Sequence, residues 1–150
     1  MKKTVNTLNI ENIPEFNNIF RDISLVKNLS PNINLVLKEI RDADAYLASA
    51  NIEVNSDFLR MAKKLKVIGS PSTGTDHMDM ELIKKKGIIC YDLSKEYKLL
   101  KKFTATSELA FSLGLNVLRK IIPATKEASK GIWSREKFTG HQLYGKTFGI

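Results

Sequence analysis

Short apolar runs alternate with stretches of helical periodicity through the first two thirds of the chain. Residues 4–10 (TVNTLNI) alternate apolar and polar positions loosely, as a half-buried strand does. In residues 13–23, Phe16, Ile19, Phe20 and Ile23 recur at helical spacing behind Pro14, which favours a helix start. SLVKNL follows as a second strand, and SPNINLVLKEIRDAD predicts a helix with Ser30 as N-cap and Pro31 at its first position. AYLASA (45–50) reads as a buried strand, and Ser56 as the cap of a helix through DFLRMAKK. LKVIGS (65–70) is the clearest strand. A helix over 78–87 closes at Gly87, and IICYDL (88–93) makes one more strand. Strands alternating with helices of this length predict βαβ units and a mostly parallel sheet, with a ligand crevice beyond the carboxyl ends of its strands.

Beyond residue 94 the pattern changes. SKEYKLLKKF is charged throughout, and TATSELAFSLGLNVLRKII then predicts one long helix over 104–122. That helix carries two apolar stripes, Leu109/Leu113/Val117/Ile121 and Phe111/Leu115/Leu118/Ile122. A helix apolar over so much of its circumference is normally covered on two sides, and one small sheet covers only one. The remaining incentive is association, so a homo-oligomer through residues 104–150 is expected. The last residues, GKTFGI, look like the opening of a buried strand.

Length and composition narrow the classes. At 150 residues the chain is long enough for one sizeable domain, and no apolar run approaches the roughly 20 residues that span a bilayer. No membrane partner is expected. Its single cysteine, Cys90, excludes an internal disulfide and reads as a buried strand thiol; the cytoplasm is the expected location. The net charge of +8 comes from lysine clusters at 63–66, 84–87 and 95–102. Without interleaved aromatics or a recognition-helix pattern, these lysines read as solvated surface, so no nucleic-acid partner is expected. No spacing suggests a metal site.

The candidate chemistry lies in GSPSTGTDHMD (69–79), at the carboxyl end of the best strand. Ser72, Thr73 and Gly74 form a small-residue turn, where Gly74 permits positive φ and close approach of a ligand. Successive backbone amides in such a turn make a concavity for carboxylate or phosphate oxygens. Asp76 and Asp79 bracket the start of the next helix. On spacing alone, a turn of this kind is structural more often than not.

LKVIGSPSTGTDHMDMELIKKKGIICYDL resembles the signature region of the NAD-dependent D-isomer-specific 2-hydroxyacid dehydrogenases, the family of phosphoglycerate dehydrogenase. The similarity continues through TATSELAFSLGL, like the family's interdomain helix, and through KGIWSREKFTGHQLYGKTFGI, covering residues 42–150. The resemblance implies an α/β, flavodoxin-like substrate-binding domain over 1–103. Residues 104–150 would then be the interdomain helix, a connector and the first strand of a Rossmann NAD-binding domain that is otherwise absent. By the same resemblance, the backbone of Thr73 and Gly74 would hold the carboxylate of a small 2-hydroxy or 2-oxo acid. Ser72 stands where many members have a first glycine.

The resemblance further implies hydride transfer between the substrate's C2 and NAD or NADP in the complete enzyme. Thr106 would neighbour the cofactor, and Glu108 would order the hinge. The glycine-rich pyrophosphate turn, the acidic ribose reader and the catalytic arginine, glutamate and histidine would lie beyond this chain. No catalytic residue is therefore expected here, nor turnover or bound cofactor in the chain alone. His77 reads as a turn or helix-start residue, His141 as solvent-exposed, and Trp133 as an anchor packing the connector. The alternative is a stand-alone anion-binding or regulatory module without catalysis.

Overall fold

The computed structural model describes residues 1–149, and two compact units divide it, Met1–Tyr97 and Lys98–Ile150. The first unit is built on a parallel sheet of five strands: β1 (Lys2–Asn6), β2 (Ser24–Asn28), β3 (Ala45–Leu47), β4 (Val67–Gly69) and β5 (Ile89–Tyr91). Their order is β2-β1-β3-β4-β5, the doubly wound flavodoxin-like order in which the chain turns from one side of β1 to the other. Helices α1 (Pro14–Phe20), α2 (Ile33–Glu39), α3 (Ser56–Met61) and α4 (Met80–Lys85) make the crossovers.

Register places the core. Val5 stands opposite Tyr46, and Tyr46 opposite Ile68, and all three are fully buried. The Tyr46 ring lies 5.1 Å from that of Phe58 on α3, with Val36, Ile40, Leu59 and Ile83 completing the cluster. The edges are less covered. Leu25 on β2 and Ile89 and Tyr91 on β5 are exposed, and Cys90 is half-buried rather than buried because β5 has a neighbour on one side only.

The elements of this unit are those expected from the sequence, most of them shorter, with β1 beginning at Lys2 ahead of the expected 4–10 and with two helix caps displaced. Asn32, not Ser30, caps α2: its side chain accepts from the amides of Asn34 and Leu35 at 3.0 and 3.4 Å. A cap oxygen must reach amides two or three residues on, and Ser30 sits too early, so Pro31 precedes the helix instead of opening it. Asn55, not Ser56, caps α3 by accepting from Phe58 N at 3.1 Å. α4 ends as expected: Gly87 takes φ +68°, and Ile88 N donates to Ile83 O at 3.1 Å, closing the helix with a left-handed residue.

In the second unit the single helix expected over 104–122 is two, α6 (Ala105–Arg119) and α7 (Ile121–Ala128), after the short α5 (Tyr97–Leu100). Lys120 between them has φ 52°. Pro123 explains the break. Inside a continuous helix its ring would meet the carbonyl four residues back, whereas in the first turn of α7 its missing N–H costs nothing.

Leu109, Phe111, Leu113, Val117, Ile121 and Ile122 are exposed along these helices, and Leu115 and Leu118 are half-buried. Trp133 is 88% exposed, so it is no anchor; no sheet forms among the described residues of this unit to cover an indole, which helps line a cavity of about 290 Å³ with Ala128, Ile132 and Phe138. Residues 146–149 form no strand, because a strand exists only through pairing and none runs beside them; Ile150 lies outside the described residues. Phe148 instead lies 6.2 Å from Phe111, over Gly114, where a Cβ would stand 2.5 Å from its ring.

Candidate functional site

β4 ends at Gly69, and the chain turns across the carboxyl end of the sheet. Ser70, buried, donates its amide to Tyr91 O at 2.8 Å, tying the loop to β5. Ser72 O accepts from Leu93 N at 3.1 Å, a second tie to the chain beyond β5. The turn is organised from within by hydroxyls: Ser70 Oγ accepts from Ser72 N at 3.4 Å, and Ser72 Oγ from Gly74 N at 3.2 Å.

Gly74 does not use the positive φ open to it; among the described residues the glycines with positive φ are Gly87, Gly131 and Gly145. What Gly74 provides is room. A Cβ there would stand 3.3 Å from Asp76 Oδ2. Ser72, Thr73 and Gly74 thus lie together in one turn, with the Thr73 amide unengaged among the described residues and the Gly74 amide on a single long bond.

The far end of the loop is pinned to the neighbouring crossover. Val54 N donates to His77 O at 2.8 Å and Asp79 N to Val54 O at 3.0 Å, a short parallel bridge. Asp79 Oδ1 accepts from Leu82 N at 2.9 Å and so caps α4. His77 is a turn residue, as its position suggested; its Nε2 is buried and meets no partner among the described residues. Asp92 accepts from the amide and hydroxyl of Ser94, which holds its carboxyl below the usual range, while burial followed by the nearby Asp92 pushes the Cys90 thiol up. A thiol so placed stays protonated at neutral pH and is no nucleophile.

Beside the loop lies a crevice of about 340 Å³ at the carboxyl ends of β1, β3 and β4. Parallel sheets of this order bind ligands at the point where the chain reverses direction across the sheet, here between β1 and β3. Thr7, Asn9, Ser49, Asn51, Ser70 and Ser72 supply its polar lining. Thr7 is the hinge of this wall. Its hydroxyl donates to Leu47 O at 3.0 Å, accepts from Ser49 N at 3.1 Å, and lies 3.1 Å from the Tyr46 hydroxyl. Asn9 takes φ 54°, a conformation asparagine tolerates better than most residues. Thr7, Asn9, Ser49 and Asn51 escaped sequence reasoning; the available signal was the small and polar residues directly after each strand, TLN after β1 and ASAN after β3.

Thr106 and Glu108 lie in the first turn of α6, in the second unit. Thr106 is exposed, and Glu108 accepts from the Thr104 hydroxyl at 2.6 Å, an ordering contact at the helix start. His141 is exposed, as expected, and donates its amide to Leu118 O at 3.0 Å. The starts of α2, α3, α4 and α6 do not suit a dinucleotide's pyrophosphate. The starts of α2, α3 and α4 are filled by their own Asn or Asp side chains, and an acidic side chain stands in the first turn of α6, where a pyrophosphate would need free amides. No cluster of metal-ligating side chains occurs among the described residues, and no helix there is long and apolar enough to cross a membrane.

Comparison with known proteins gives the chain's relatives. D-3-phosphoglycerate dehydrogenase of Methanocaldococcus jannaschii is 36% identical over 115 residues, covering 77% of this chain and 21% of that protein. Glyoxylate reductase of Thermococcus litoralis is 33% identical over 139 residues, 87% of this chain and 40% of that one. The chain therefore spans between about a fifth and two fifths of the length of these relatives. In fold it is similar to D-lactate dehydrogenase of Aquifex aeolicus, solved with NAD and lactic acid, with a TM-score of 0.79 at 17% identity over 95% of this chain and 41% of that one. The profile of the D-isomer specific 2-hydroxyacid dehydrogenase catalytic domain matches residues 5–96, the parallel sheet with its loop and crevice, and the chain belongs to that family.

Proposed function

We propose that this chain is the substrate-binding portion of an NAD- or NADP-dependent oxidoreductase that interconverts a D-2-hydroxy acid and a 2-oxo acid. The observation that carries it is the position of the 70–79 loop, at the carboxyl end of β4 and beside the crevice, within the segment matching the family's catalytic domain. The substrate carboxylate would accept from the Thr73 amide and from the Gly74 amide in place of Ser72 Oγ, which holds the latter at 3.2 Å. The Ser70 and Ser72 ties fix the backbone donors, so binding exchanges only the Ser72 Oγ bond, and a charge-assisted bond is about twice as strong as the neutral one it replaces.

The chain's part in the reaction is to bind and orient the acid. The nicotinamide cofactor would supply the hydride in the complete enzyme, with Thr106 as its neighbour in this chain. Residues 1–103 would serve as the substrate domain and 104–150 as the interdomain segment, which would also mediate homo-oligomerisation.

Gly74→Val in the complete enzyme tests the loop. The added side chain meets the Asp76 carboxylate and crowds the approach to the Thr73 amide. Because Gly74 does not use positive φ, the fold should survive while KM for the acid rises at least tenfold. An unchanged KM in a folded variant would show the loop to be structural only.

A further inference from the structure

We infer that the acid taken by this crevice is short and unphosphorylated, with a neutral tail. This inference rests on the carboxylate being held at residues 72–74. From that turn the tail must extend along the floor made by the ends of β1 and β3. The polar residues lining it, Thr7, Asn9, Ser49, Asn51, Ser70 and Ser72, supply hydroxyls and carboxamides, the remainder are apolar, and no lysine, arginine or histidine is among them.

A phosphate carries nearly two negative charges at neutral pH, and proteins that enclose one supply guanidinium or ammonium groups, or a free helix terminus. Here no residue of the lysine clusters at 63–66, 84–87 and 95–102 lines the crevice, and the donors that line it are neutral. The Thr7 hydroxyl is saturated by Leu47 O, Ser49 N and Tyr46, whereas Ser49 Oγ accepts from Asn51 N at 3.2 Å and keeps its O–H to donate. The Ser49 hydroxyl and the exposed Asn51 carboxamide are left to meet the tail, and both suit a neutral hydroxyl. The crevice volume of about 340 Å³ holds an acid of a few carbons. Of the two chemistries found among the relatives, the phosphorylated hydroxy acid and the small unphosphorylated one, the lining selects the second.

The test is amide NMR of the full chain titrated in parallel with hydroxypyruvate and with its 3-phospho derivative, at low and at moderate salt. Hydroxypyruvate is expected to shift Thr73, Gly74 and Asn51 at least tenfold more tightly than the phosphorylated acid, whose shifts are confined to lysine-bearing surfaces and vanish with salt. Asn51→Arg, which adds a cation at an exposed position of the rim, is expected to close that gap about tenfold. Equal or tighter binding of the phosphorylated acid at Asn51 and Thr7 in the unaltered chain overturns the inference while leaving the carboxylate site intact. If neither acid moves Thr73 or Gly74, the carboxylate site itself fails, and the inference with it.

Discussion

Tyr46 joins the core to the crevice, and its hydroxyl can be removed without removing its bulk. The ring is fully buried against Phe58, and the hydroxyl lies 3.1 Å from Thr7 Oγ1. In Tyr46→Phe the Thr7 hydroxyl keeps Leu47 O and Ser49 N, so no buried group is orphaned, and the loss at pH 8 should be about 1 kcal/mol. Alkali reverses the ranking. Burial, opposed by the Thr7 bond, pushes the Tyr46 pKa from 10.0 to about 12. A folded pKa above the unfolded one means stability that is whole below pH 10 and is lost as pH rises toward 12. At about 1.4 kcal/mol per unit this amounts to about 2–3 kcal/mol, which phenylalanine does not lose. The two stability curves should therefore cross at about pH 10.5 to 11. Urea unfolding followed by far-ultraviolet circular dichroism, in steps from about pH 8 upward, measures both curves and cancels the lysine titration they share. A gap that stays constant across that range would refute the burial and the bond together.

Asp79→Ala removes the α4 cap and should cost about 1 kcal/mol in urea unfolding, whereas Asp79→Asn, which can still accept from Leu82 N, should cost only a few tenths. In acid, the Lys3 side chain holds the Glu39 and Asp42 carboxyls below their usual range, and the Lys3 amide does so for Asp44. Depressed carboxylates stabilise the fold above about pH 4 and lose that contribution as pH falls through their lowered values, so the stability of Lys3→Met should fall less steeply there than that of the unaltered chain. Equal slopes in the two proteins would dismiss the cluster. Analytical ultracentrifugation should find concentration-dependent self-association that Val117→Lys, at an 80% exposed position of α6, weakens; a monomer at every concentration would refute an interface through this segment.

Much of the sheet was legible because its signals are local. Val5, Tyr46 and Ile68 each sit in an apolar run bounded by polar residues, and the alternation with helical spacing implied parallel strands before any contact was known. The 70–79 turn was legible for the same reason, as small residues following the strongest strand. Cap positions were read one or two residues away from where they lie, since Ser and Asn compete for the same amides and only backbone geometry decides between Ser30 and Asn32 or between Ser56 and Asn55.

What the sequence alone determined, then, is the order of elements, their periodicity and the family likeness carried by contiguous motifs. The tertiary structure decided what depends on residues distant in the chain. Thr7, Ser49 and Ser72 share one crevice only because β1, β3 and β4 lie side by side, so their union could not be read from any one segment. Cys90 is half-exposed because β5 lies at an edge, Trp133 because no layer covers it, and 146–149 make no strand because no partner runs beside them. Propensity and periodicity are properties of a residue and its near neighbours, whereas burial and pairing are properties of whatever the fold brings alongside.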